Sequence, residues 1–95
     1  MAVVMVDEYE VVYSSNTFAP RIWLKSGGHF VGQLVFNPNG SSLPPDSSDS
    51  LFYHLEDFPN ALDLLRNEKP MYFHFHGPGC ENGIKTSAEP VGEGE

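Results

Sequence analysis

Three of the chain's four histidines stand in runs of alternating side chains: His54 in LFYHLE at 51–56, and His74 and His76 in MYFHFH at 71–76. On an extended strand, successive side chains point to opposite faces, so His74 and His76 project side by side. Two imidazoles at i and i+2 make a pair of nitrogen ligands. His54 or Glu56 from a neighbouring strand would complete a three-ligand site for Zn²⁺ or another transition metal. The same spacing also arises when imidazoles and aromatic rings share the solvated or partner-covered face of a sheet, with no metal at all. Which reading holds turns on whether the two strands are neighbours, which spacing along the chain leaves open.

Other chemistries find weaker footing. Cys80 with His74 or His76 would make a Cys/His pair, but it lies in a Gly-Pro-Gly loop with no helix N-terminus to favour the thiolate. Glu56 and Asp57 are a possible acid/base pair, yet helix capping and dipole compensation account for them equally. GGHFVG at 27–32 leads from one strand into another, whereas a phosphate cradle needs a helix N-terminus. Beyond the metal alternative, no cofactor is called for.

The elements that must position these residues are legible around 51–76. Leu51, Tyr53 and Leu55 alternate with Phe52, His54 and Glu56, and Met71, Phe73 and Phe75 with Tyr72, His74 and His76, so each run reads as a strand with an apolar face. Between them Phe58, Ala61, Leu62 and Leu65 recur at i, i+3, i+4 and i+7, the period of an amphipathic helix over about 58–67. Asp57 is placed to cap its start, Pro59 is tolerated in the first turn, Asn67 tolerates a left-handed cap, and Pro70 cannot continue it. The link between the two strands is long enough for a right-handed parallel crossover.

Upstream, residues 2–13 hold β-formers, but neither parity gives a clean apolar face. The spacing predicts a short strand at 9–13 with a loose lead-in over 1–8. Arg21 to Lys25 alternates with Ile22 and Leu24 on one side, and Gly27-Gly28 supplies the positive φ angles of a tight hairpin into FVGQLVF at 30–36. There Phe30, Gly32, Leu34 and Phe36 share one side and Val31, Gln33 and Val35 the other, with Gly32 marking a bulge or a close approach. NPNGSSLPPDSSDS at 37–50 defeats both periods and reads as a mobile connector. Residues 84–87 form a short closing strand, and the acidic end, 89–95, is expected to be disordered.

Length and charge bound the rest. Ninety-five residues allow one small domain, and 40% hydrophobic with 13% aromatic residues is enough for a core. A net charge of −8 repels phosphate backbones and anionic lipid, so neither nucleic acid nor membrane is an expected partner. No stretch approaches the roughly 20 apolar residues of a membrane span, and MAVVMVDEYE lacks the basic and small-residue pattern of a signal peptide. With a single cysteine and so no internal disulfide, the expected compartment is the cytoplasm.

The blocks RIWL, VGQLVF, FYHLEDF, LLRNEKP and EPVGEGE, taken together, resemble a family of small bacterial proteins of unknown function that carry similar blocks in the same order. The resemblance covers 21–95 and is most specific at LLRNEKP, 64–70, and EPVGEGE, 89–95; the first twenty residues look particular to this chain. It implies a compact domain and brings no functional residue.

The expected architecture is therefore α+β: a mixed, mainly antiparallel sheet of five or six strands with one helix on one face. One helix covers one side, so the other would display Trp23, Phe52, His54, Tyr72, His74 and His76, with Val31 and Val35 nearby. The first functional expectation is a small non-enzymatic binding protein that uses this face for a protein partner or for weak self-association as a homodimer. The second is a metal-binding protein or metal-dependent enzyme using His54, His74 and His76.

Overall fold

The chain folds as an α+β unit, and the computed structural model describes residues 2–15, 17–88 and 91–92. Of the acidic end, only 91 and 92 fall within the described residues. Among the described residues seven strands and one α-helix follow in the order β1 (Ala2–Val6), β2 (Glu8–Val12), β3 (Arg21–Ser26), β4 (His29–Asn37), β5 (Ser50–His54), α1 (Phe58–Asn67), β6 (Met71–Phe75) and β7 (Gly83–Thr86). They form two sheets rather than the single sheet expected, a three-stranded one ordered β1-β6-β7 and a four-stranded one ordered β2-β3-β4-β5. All pairings are antiparallel except β4 with β5.

The N-terminal segment explains both the second sheet and its concealment. Val4 and Val6 share the parity of Phe73 and Met71 in the three-stranded sheet. One residue later the chain enters the other sheet, where Tyr9 and Val11 pair with the buried Leu24 and Ile22. The inward parity thus changes from even to odd at Asp7, which is why 2–13 shows no continuous apolar face. The expected loose lead-in contains a paired strand, β1. Asp7 holds the bend: its N–H donates to the Lys25 carbonyl at 3.0 Å and its carboxylate accepts from Gly27 N–H at 3.1 Å.

The β3–β4 hairpin forms as expected, with Gly27 and Gly28 at φ 59° and 83°. Its register slips between Leu24 and Lys25, so Phe30 pairs with Lys25 and Val31 becomes the extra residue. Phe30 is consequently exposed and Val31 packs on the core, the reverse of the simple alternation.

The helix occupies the expected residues and turns Phe58, Ala61 and Leu65 to the core. Its start differs from expectation. Among the described residues Asp57 makes no side-chain cap; a 3₁₀ turn over Leu55–Asp57 leads in, and Phe58 N–H donates to Leu55 O. At its other end Asn67 is the last helical residue rather than a left-handed cap, and its amide donates to Asp63. The helix joins two different sheets, so β5 and β6 are not the neighbouring parallel strands of a crossover unit.

The core lies between the sheets, with Val6 and Phe73 from one and Ile22, Leu24, Leu34, Phe36 and Leu51 from the other, closed by Ala61. Gly32 marks a close approach. A methyl group there would lie 2.8 Å from the Phe73 ring, inside any normal carbon–carbon contact. Gly32→Ala should therefore cost about 1–3 kcal/mol by overpacking, read as a lower Tm in thermal unfolding with secondary structure retained; an unchanged Tm would show that the sheets do not meet there.

Candidate functional site

The six residues expected on one face are divided between two. Trp23, Phe52 and His54 lie on the outer side of the four-stranded sheet, where Trp23 pairs with Glu10 and Gln33, and Phe52 with Val35. Val35 is only 9% exposed, so this side is not bare. Tyr72 and His74 lie on the outer side of the three-stranded sheet, opposite Met5 and Val3 of β1, with His76 just beyond the strand end. The division follows from the chain entering separate sheets through β5 and β6.

His54 is accordingly engaged elsewhere: its Nε2 meets the Ser41 carbonyl at 2.8 Å. Of residues 37–50, expected to be a mobile connector, the stretch 38–49 is tied to β5 and to the 3₁₀ turn that follows it. Asp46 accepts from Phe52 N–H at 3.0 Å, and Asn39 from Glu56 N–H at 2.8 Å. The three-ligand set His54, His74 and His76 is not assembled, and among the described residues no group of three or more His, Cys, Asp or Glu side chains is placed to hold a metal.

His74 and His76 do meet. Nε2 of His76 lies 3.0 Å from Nδ1 of His74, with ring centroids 5.0 Å apart. At that distance one ring must donate and the other accept. Partial burial lowers the His74 pKa from its ordinary value, and the His76 charge lowers it further; Lys85 acts in the same sense and Glu81 against it. Cys80 is exposed in the following turn, its N–H donating to Gly77 O at 3.1 Å.

Sequence reasoning did not find the polar contact that joins the sheets beside this pair. Asn82 accepts from His76 N–H at 2.6 Å and donates to Gly77 O at 3.0 Å and to Asp46 at 3.1 Å. Asp46 comes from the loop before β5, so one amide ties the end of β6 to the edge of the other sheet. Nothing in the local sequence marks these two residues, which lie 36 positions apart. Close by, a methyl group at Gly83 would be 3.3 Å from the Tyr53 hydroxyl and 3.7 Å from His74 Nε2, so β7 leaves room for a side chain from each sheet. Burial, with Asp46 and Asp57 adding to it, pushes the Tyr53 phenol up to about 12.

Two depressions flank the helix. A shallow groove of about 820 Å³ runs from Met5–Tyr9 to Leu65–Met71 and so contains most of LLRNEKP. A smaller cleft of about 320 Å³ lies between Tyr53, Leu64 and Ile84. No helix among the described residues is long and apolar enough to cross a membrane. Comparison with protein-family models, curated proteins and solved structures gave no match.

Three outcomes follow from this geometry. Asn82→Ala should cost about 0.5–1.5 kcal/mol in chemical denaturation, because the link from the His76 N–H to Asp46 is lost while Asp46 keeps its bond from Phe52 N–H; a double-mutant cycle with Asp46→Ala should show coupling, and strict additivity would contradict the link. In an NMR titration His74 should protonate below the ordinary histidine range, and His76→Ala should raise its midpoint only in part, because burial is the larger cause. The unfolded chain protonates first as pH falls, so the folded state loses stability from about pH 6.5 downward and keeps it above. For Tyr53 the sign is opposite at high pH: its contribution holds below about pH 10 and is lost as pH rises towards 12. Absorbance titration should show one tyrosine ionising well after the others.

Proposed function

We infer that the protein is a small non-catalytic binding protein whose working surface is the outer face of the three-stranded sheet, and that its partner is another protein surface. The observation that carries this is the grouping of Val3, Met5, Tyr72 and His74 on that face, with both β1 side chains about half exposed. Apolar and aromatic side chains rimmed by imidazoles are the composition of a protein interface, where rings supply area and polar groups fix orientation. The charge of −8 favours a partner with a basic rim and disfavours nucleic acid.

A second reading is supported by the histidine pair alone. Two nitrogens bound tetrahedrally at about 2.0–2.1 Å to one metal ion lie roughly 3.3–3.4 Å apart, and His74 Nδ1 and His76 Nε2, hydrogen-bonded at 3.0 Å, reach that spacing by parting slightly as the ion replaces the shared proton. The pair would supply two ligands to Zn²⁺ or Cu²⁺, leaving the remaining positions to water or to groups from a partner.

Both readings are tested by immobilising wild type and the Met5→Ser/Tyr72→Ser variant, exposing each to extract of the source cells, and titrating any differentially captured protein in purified form. The expected outcome is a partner whose affinity falls at least tenfold with the variant; equal binding by both would remove the outer face as the surface. Zn²⁺ and Cu²⁺ titrations of wild type, His54→Ala and His74→Ala/His76→Ala distinguish the second reading, which requires binding lost only in the double variant.

A further inference from the structure

The described strands differ sharply in how their free edges are guarded. β5 is flanked by the loop, through the Asp46 bond to Phe52 and the bridge between Ser47 and Ser50. Among the remaining edge strands, β2 carries Glu8 and Glu10 and β7 carries Lys85. Charges of this kind are a common means of preventing edge-to-edge pairing. β1 is AVVMV, with no charge, proline or glycine, and it pairs on one side only, with β6. Three of its side chains are open: Val3 is 51% and Met5 47% exposed outward, and Val4, which shares the core-facing parity of Phe73, is still 37% exposed, whereas Val6 at the strand's end is buried. A residue of core parity left that open marks a sandwich whose interior is uncovered along this edge.

We propose that β1 pairs antiparallel with β1 of a second copy, about a two-fold axis through Val4, to form a continuous sheet ordered β7-β6-β1-β1-β6-β7. The occupant must be an extended segment that is uncharged and apolar on both faces, and the same strand of another copy meets that requirement. Electrostatics selects the direction. Asp7 follows β1 directly; parallel pairing would set Asp7 beside its counterpart in a chain that already carries −8. Antiparallel pairing about Val4 places the two Asp7 residues six positions apart, roughly 20 Å at strand rise, beyond the screening length of about 8–10 Å at ordinary ionic strength.

In this register Val4 meets Val4, and Val3 meets Met5 on the shared outer side. The two valines cover the open interior edge, and the two outer faces become one surface. A short edge contact falls below the standard interface of about 1,200–2,000 Å², so the dimer is weak and concentration-dependent. This pairing goes beyond the outer-face reading, because it is made by the edge of β1 and does not need a foreign partner.

Sedimentation equilibrium of the full chain from low micromolar to near-millimolar concentration tests it. Wild type should rise from 10.5 kDa towards twice that mass. Val3→Glu/Met5→Glu sets like charges directly across the pair and should stay monomeric with an unchanged circular dichroism spectrum. Mixing it with Val3→Lys/Met5→Lys should restore a one-to-one heterodimer. Tyr72→Ser, an outer-face change on β6, should dimerise within about twofold of wild type, so loss of edge pairing and loss of outer-face binding give different patterns. A wild type that remains monomeric, a glutamate variant that dimerises as wild type does, or glutamate and lysine variants that fail to associate would each overturn the proposal.

Discussion

The fold depends on one close contact, the ring of Phe73 lying on the bare backbone of Gly32. Phe73 is the central residue of β6 and is almost fully buried; Gly32 is the one position in β4 where the facing sheet offers no side chain. Burying such a ring contributes about 1.5–3 kcal/mol, a large share of the marginal stability of a domain this small. Because the two sheets meet there, the chain must pass between them twice, at Asp7 and through α1. Every surface discussed above follows from those two passages.

The first consequence is the separation of the histidines. His54 leaves on the far side of one sheet and His74 on the far side of the other, so the three-ligand arrangement allowed by spacing is not formed. What remains is a two-histidine pair beside the Asn82–Asp46 contact, where Tyr53 and His74 approach β7 from opposite sheets. The second consequence is an unguarded strand edge. β1 is short and apolar because it must turn Val4 and Val6 inward, and its position at the end of a three-stranded sheet leaves its other side without a hydrogen-bonded strand among the described residues.

Local periodicity carried much of the fold. The helix at 58–67, the Gly27-Gly28 hairpin and the face assignments of β3, β5 and β6 depend on interactions within a few residues, and these were legible. What escaped was set by long-range geometry. The parity change at Asp7 concealed β1, the slipped register at Val31 reversed Phe30 and Val31, and the 3₁₀ turn before α1 took over the role given to Asp57. Strand adjacency is not written in spacing at all, so the six residues expected on one face belong to two. The close approach at Gly32 was anticipated as one of two meanings of a glycine within a strand, and the structure shows the bulge as well, one residue earlier.

The central claim, that two sheets clasp through Phe73 on Gly32 and thereby part His54 from His74, is most directly tested by aromatic NOE measurements in solution. The account predicts cross-peaks between the Phe73 ring and the Gly32 α-protons, with those protons displaced by the ring current, and none between the imidazole protons of His54 and His74. Cross-peaks between His54 and His74, with none from Phe73 to Gly32, would contradict it.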